Sequence, residues 1–492
     1  MGNSAEKFVA VGALLLAACI TEPSPSTSTE TSELKSEAVC SGGRIHCMSR
    51  RVVNDVGSHI TANAASGLGP SDLASAYAIP TSVDPGATIA IIDAYGYSNL
   101  ESDLAQYRSQ YGLPSCTTSN GCLKIVNQSG QTSPLPNDPP ANDDWTVETA
   151  LDVDMASAGC PKCKILVVQA DDDQGNGLEV ANNTAAQLGA TVISNSWGGP
   201  ESSFSFPGDD AYFDHAGIAV FVSAGDSGYN DGGQGPDFPA TSDHAIAVGG
   251  TRLSKSSNTR GWTETAWSSG GSACSQNITK PSWQTATACG MRMSSDVSAV
   301  GDPSTGVAVF NGGSWQVVGG TSAASPLVAA IFAITNNGSR TSQFAYQNTM
   351  AFNDVTSGTN GSCGSIVCNA QTGWDGPTGV GTPIGSKLAA LGTTGGGGGS
   401  GSGSGTGGGG GGGGGSGSGI GSGSDTGSDT GGTGGTGGTG GTGGTGSDTG
   451  GGNGGNADNG GVEHGGCAAA GGSSLLPIAF AMLLRRRRRA AK

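Results

Sequence analysis

Gly319-Gly320-Thr321-Ser322-Ala323-Ala324-Ser325-Pro326 leads from two glycines through a serine into the apolar series Leu327, Val328, Ala329, Ala330, Ile331 and Phe332. That series predicts a buried helix, because residues apolar on every face need protein on every face. Pro326 is expected in its first turn, where a missing N–H costs little. Ser322 then sits at the positive helix end, beside backbone N–H groups that lack a helical partner and can hold an oxyanion. Taken alone, the segment reads more simply as a Ser/Thr helix cap.

Outward from this helix, β-rich runs at Thr88 to Asp93, Lys164 to Gln169, Thr191 to Asn195 and Ile218 to Ser223 alternate with helical runs. Alternation of this kind implies an α/β fold with a mainly parallel sheet flanked by helices. A single domain from 70 to 392 is long enough for a large core.

A nucleophilic serine usually needs a histidine, and the five present are His46, His59, His215, His244 and His464. None lies in a His-Gly-Thr segment opening a helix, so another base is required. The run from Asp144 to Ala156 is rich in helix formers and stacks Glu148 and Asp152 four residues apart on one face, with Asp154 pointing elsewhere. Two like charges at that spacing favour a shared proton and one raised pKa. Such a pair keeps an ionised member at low pH, where imidazole is already protonated. By itself Glu-x-x-x-Asp is common on solvated helices. In Phe221-Val222-Ser223-Ala224-Gly225-Asp226-Ser227-Gly228 a β-rich run ends in a glycine-flanked acid. Asp226 is either an ordinary turn residue or, if protonated near Ser322, a donor to the tetrahedral oxyanion.

The order Glu148, Asp152, Asp226, Ser322 resembles the sedolisin (serine-carboxyl peptidase) family, acid-active relatives of subtilisin. The likeness extends to Ile193-Ser194-Asn195-Ser196-Trp197-Gly198, Phe238-Pro239-Ala240, Ala247-Val248-Gly249-Gly250-Thr251 and the run from Gly373 to Pro383. It spans roughly residues 70 to 390 and implies a subtilisin-like sheet. It also implies that Ser322 is the nucleophile, Glu148 its general base and then acid, Asp152 the partner that orients Glu148, and Asp226 the oxyanion donor. Ser196, Trp197 and Gly198 match the segment that pairs with an extended peptide substrate, although Trp197 also suits a core position. The family's calcium site would fall on Asp354, Val355, Gly373 and Asp375, an oxygen donor set that fits a hard cation. Gln371 stands there in place of a usual glycine, and the alternative is a turn closed by Cys363 and Cys368. Family members often carry a folded prodomain of well over a hundred residues, whereas about fifty precede the domain here. Asp93 ends the first expected strand and competes with Asp152 for the orienting role.

The flanks concern location. Residues 1 to 19 read as a bacterial export signal ending in the lipobox-like Leu16-Ala17-Ala18-Cys19, with ordinary signal cleavage as the alternative. Residues 20 to 69 are expected to hold a disordered spacer, rich in Ser, Thr, Pro and Glu over 21 to 37, and a short pro-region. Of twelve cysteines, ten fall into near neighbours: 40/47, 116/122, 160/163, 274/289 and 363/368. Local disulfides are the favoured reading in an exported protein, and Cys160/Cys163 as a redox or zinc pair is the alternative. Residues 393 to 466 are glycine with Ser, Thr and Asp, too poor in apolar groups for a core. As a flexible tether they would reach roughly 45 to 50 Å. Residues 467 to 492 join Cys467, a short apolar stretch and Arg485 to Arg489. They resemble a myxobacterial C-terminal sorting signal, with a plain membrane anchor as the alternative.

A formal charge of −17 and a pI near 4.5 argue against nucleic-acid binding. The expectation is an exported, surface-displayed, monomeric endopeptidase or tripeptidyl-peptidase acting on polypeptides. Its rivals are a catalytically inactive surface-binding module and a conventional Ser-His-Asp peptidase.

Overall fold

The computed structural model describes residues 1–2, 34–40 and 44–392. The export signal, the glycine-rich tether and the C-terminal segment lie outside the described residues.

Three short strands come first: β1 (Ser36–Ala38), β2 (His46–Cys47) and β3 (Arg50–Val52), followed by helix α1 (Pro70–Ala76). The α/β core then runs β4 (Thr88–Ala94), α2 (Leu100–Gln110), β5 (Leu123–Asn127), α3 (Trp145–Gly159), β6 (Lys164–Ala170), α4 (Gly177–Gln187) and β7 (Val192–Asn195). β8 (Trp197–Pro200), β9 (Ala219–Ser223), β10 (Asp237–Phe238), β11 (Ala245–Lys255) and β12 (Trp262–Ala266) follow. The last strands used below are β13 (Ala273–Thr279), β14 (Met291–Ser294), β15 (Val297–Val300), β16 (Val307–Asn311) and β17 (Ser314–Gly319), which enters α5 (Thr321–Ile334).

The main sheet has the order β12-β11-β9-β7-β4-β6-β5, with β15 also on β11. Every pairing in it is parallel except β11 with β12. Its inner strands are continuous buried runs of Ile, Val and Ala, as a parallel sheet covered on both faces requires. All fourteen residues of α5 are buried. α3 packs against α5, and a Cβ added at Gly159 would come within 2.6 Å of the Ala330 Cβ. All five neighbour cysteine pairs form disulfides: Cys40–Cys47, Cys116–Cys122, Cys160–Cys163, Cys274–Cys289 and Cys363–Cys368.

One expectation needs correction. Pro326 lies inside α5 rather than in its first turn, because the helix starts five residues earlier at Thr321. Its missing N–H leaves the Ser322 carbonyl without the usual partner four residues on. The described residues of the segment expected as spacer and pro-region pair with strands of the domain from 70 to 392. β1 and β3 complete a four-stranded sheet, β1-β3-β17-β16, and β2 completes a three-stranded one, β10-β8-β2. Their backbone groups are satisfied by strands of the main domain, which composition alone does not reveal.

Candidate active site

The C-terminal ends of three neighbouring parallel strands deliver the site, the usual functional edge of such a sheet. Asp93 is near the end of β4, Ser196 follows β7, and Asp226 follows β9. Ser322 enters from α5 and Glu148 and Asp152 from the facing side of α3. All six are buried.

Three carboxyls form one cluster. Both oxygens of Glu148 and both of Asp93 are buried without a full hydrogen bond. Burial pushes the Glu148 pKa well up, and the nearby Asp93 charge raises it further; the Ser322 and Ser49 hydroxyls, its near polar neighbours, oppose the rise. Burial likewise raises Asp152, with Asp93 and then Glu148 adding to it. Its Oδ1 accepts from the Ser196 hydroxyl at 2.9 Å. Asp93 is pushed up to about 7 by burial, opposed by Thr149. Asp93 therefore acts electrostatically on both α3 acids and is a full member of the group. Asp154 faces away, its carboxylate accepting from the Phe310 N–H at 3.2 Å.

Asp226 lies on the other side of Ser322. Its Oδ1 accepts from the Thr321 N–H at 2.7 Å and the Thr321 hydroxyl at 3.0 Å, while Oδ2 is buried and unpartnered. Burial pushes its pKa up to about 7 against those bonds and the Arg50 charge. Gly320, at φ 101°, is the hinge into α5. A Cβ there would meet Asp226 Oδ2 at 2.6 Å, so only glycine fits.

The cleft between these groups is filled by the chain itself. β2 lies antiparallel on β8, with His46 opposite Gly198 and Cys47 opposite Trp197. Beyond it, the Met48 N–H donates to the Ser196 carbonyl at 3.0 Å, and the Ser322 N–H donates to the Met48 carbonyl at 2.8 Å. A Cβ on Gly198 would come within 2.9 Å of the Met48 Cε, so Met48 occupies space that a bare strand leaves open. The Ser322 hydroxyl is turned to the Ser196 carbonyl at 3.2 Å. Trp197 packs on Phe213 with ring centroids 6.0 Å apart, so it fills the core while its backbone carries the pairing.

Residues 140–359 match the subtilase family model. Kumamolisin of Bacillus sp. (strain MN-32) is 35% identical over 356 residues, covering 65% of this chain and 62% of that protein. Sedolisin of Pseudomonas sp. (strain 101) is 31% identical over 390 residues, covering 70% and 65% respectively. The structure of Pseudomonas sedolisin, described as a serine-carboxyl proteinase complexed with two molecules of pseudo-iodotyrostatin, superposes with a TM-score of 0.58 at 29% identity, covering 67% of this chain and 98% of that one. In sequence and in fold the chain is similar to these sedolisin-type peptidases. It spans just under two thirds of the length of the two curated relatives.

The expected calcium residues converge on one turn. The Gly373 N–H donates to Asp354 Oδ2 at 2.9 Å. Asp375 Oδ1 accepts from the Thr378 N–H at 2.9 Å and its hydroxyl at 2.8 Å, and Oδ2 accepts from the Gln371 N–H at 2.9 Å. Burial still pushes Asp375 up to about 7. The donor set suits a hard cation, but Asp375 would have to exchange internal donors for it. Val355 is buried beside the turn.

Of the described histidines, His59 meets Glu37 at 2.8 Å, His244 meets Asp210 at 3.6 Å, and His46 lies on β2 opposite Gly198. Sequence reasoning missed Met48, Ser49, Gly320 and Thr321 as site residues. The signal for the first two was the Cys40/Cys47 pair flanking a short β-prone run.

Proposed function

We propose that this chain is an acid-active serine-carboxyl peptidase that hydrolyses extended polypeptides through an acyl-enzyme on Ser322. The observation that carries the reading is the polypeptide segment lying antiparallel on β8 with its carbonyl on the Ser322 N–H. Any peptide bound in that register brings a carbonyl to the serine.

Ser322 Oγ attacks that carbonyl carbon and passes its proton to Glu148, which then protonates the leaving amine. Water repeats the sequence on the ester. Asp152, fixed by Ser196, and Asp93 hold the remaining protons of the cluster and keep Glu148 basic enough for the transfer. Protonated Asp226 and the Ser322 N–H stabilise the oxyanion, which favours acidic conditions because Asp226 must keep its proton.

A calcium ion held by the carboxylates of Asp354 and Asp375 with the Val355 and Gly373 carbonyls is part of the proposal, as a structural ion. Export and surface display through the terminal segments belong to it too, as does a monomeric state. A pH profile on a denatured protein tests the chemistry. Acid-optimal cleavage abolished by Ser322→Ala supports the reading, and a neutral optimum or no turnover sinks it. Chelation with and without added calcium, followed by thermal melting, tests the ion. Intact mass of the surface form tests processing, because retained Arg485 to Arg489 excludes it.

A further inference from the structure

Outside the group formed by Asp93, Glu148, Asp152 and Asp226, a second set of ligating side chains converges where two loops meet. Asp210 opens the short helical turn Asp210–Phe213, Asp214 follows it, and Asp243 and His244 lead into β11. His244 stands at the centre. Its Nε2 lies 3.6 Å from Asp210 Oδ2 and 3.7 Å from Asp243 Oδ1, while its Nδ1 lies 3.6 Å from Asp214 Oδ1. All three separations are longer than a hydrogen bond between imidazole and carboxylate. Among the described residues, no Lys or Arg comes within 4.0 Å of these three acids, and Arg292, whose charge reaches Asp243, is paired with Asp296 at 2.6 Å.

Asp210 sets this group apart from the acids that commonly crowd a surface. Asp243 and His244 are exposed, but Asp210 is only 9% exposed, and its Oδ1 is buried with no hydrogen-bond partner, the Ser242 hydroxyl being a near polar neighbour. Holding a buried carboxylate against two others costs free energy that a shared cation offsets. The imidazole is placed to complete such a site. A proton on Nδ1, facing Asp214, leaves the Nε2 lone pair directed at Asp210 and Asp243, which is how a carboxylate orients a metal-ligating histidine. One ligand atom from each of Asp210, Asp243 and His244 lies within 4.8 Å of the other two. Donors about 2.0 to 2.2 Å from a tetrahedral zinc ion stand roughly 3.3 to 3.6 Å apart, so both spacings at Nε2 match to within a few tenths of an ångström. Rotation of the exposed Asp243 side chain supplies the rest.

We propose that Asp210, Asp243 and His244 bind a divalent transition metal of the zinc class, with Asp214 as the positioning residue for His244. An imidazole among carboxylates favours such an ion over calcium or magnesium, which take oxygen donors. The exposed faces of Asp243 and His244 give it an entry path. Its role is structural. Phe213, between Asp210 and Asp214, packs on Trp197 with ring centroids 6.0 Å apart and on Phe238 at 5.4 Å. An ion here fastens the turn that carries Phe213 to the loop entering β11, and so steadies the aromatic backing of β8 and β10. The site is distinct from the calcium proposed at Asp354 and Asp375 and does not depend on the peptidase chemistry.

The test titrates zinc chloride into the full chain at neutral pH by calorimetry, with calcium present to fill any oxygen-only site. The expected result is one equivalent bound, with affinity at least about 10-fold weaker in His244→Ala and in Asp210→Asn, and about 10-fold weaker in Asp214→Asn, the usual loss when an orienting partner is removed. Zinc should raise the melting temperature of the unaltered chain by several degrees and leave that of His244→Ala unmoved. X-ray absorption of the chain loaded with one equivalent should show only nitrogen and oxygen donors, at about 2.0 to 2.2 Å, which separates this site from Cys19 and Cys467. Because His244 is exposed, its variant keeps the test decisive if Asp210→Asn fails to fold. No binding, affinity unchanged in His244→Ala or in a folded Asp210→Asn, or a metal shell of sulfur overturns the proposal.

Discussion

Glu148 and Asp375 are both fully buried carboxyls whose pKa is raised by burial, yet the fold treats them in opposite ways. Asp375 is met by three internal donors across its two oxygens. Glu148 has no full hydrogen bond and lies beside a second acid instead. A buried carboxyl with its acceptors filled organises a turn. One stripped of donors and crowded by like charge is costly to hold and ready to take or give a proton.

The sharpest way to break the comparison is to replace each acid by its amide. Glu148→Gln should lower turnover of a denatured protein by about 1,000-fold or more, with thermal stability unchanged or raised, since an unpaired buried acid is removed. Asp226 comes next. Asp226→Ala should cost about 100- to 1,000-fold, the usual worth of an oxyanion donor. Asp226→Asn, a permanently neutral donor, should retain more activity and lose the falling limb near pH 7, as a pH profile of kcat/KM would show.

The α/β core and the four catalytic candidates were legible in sequence because each rests on local pattern. Buried parallel strands read as apolar runs, and Glu148 and Asp152 are one helical turn apart. The site of Asp93 was less legible, since its influence on both α3 acids depends on where β4 sits in the sheet. The pairing of β1, β2 and β3 was not legible at all. Its strands are two or three residues long and exist only because β8, β17 and β1 supply their partners. Pro326 was misplaced because apolar residues mark a helix's burial better than its first residue.

Smaller effects sharpen the contrast further. Asp93, at 3.8 in an unfolded chain and about 7 here, stays protonated in the folded state while the unfolded state ionises. The folded state then binds more protons, so stability should fall as pH rises from about 4 to about 7. Asp93→Asn should flatten that fall in a series of melting curves. If Asp93→Asn abolishes activity while Asp152→Asn does not, the orienting role belongs to Asp93. The smallest expected effect on turnover is that of Asp375→Asn. It should change activity only a few-fold while lowering the melting temperature by several degrees, because a donor-facing acceptor becomes a donor.

The bare Cα of Gly159 has a consequence far from its own position. It lies eleven residues along α3 from Glu148, about 16 Å at the usual helical rise, and it lets α3 and α5 touch at Ala330. The proposed base and nucleophile ride on those two rods, so one missing carbon at the distant crossing acts as a gauge for the gap between them. A methyl group added there would work as a wedge, prising the reacting pair apart without touching either member.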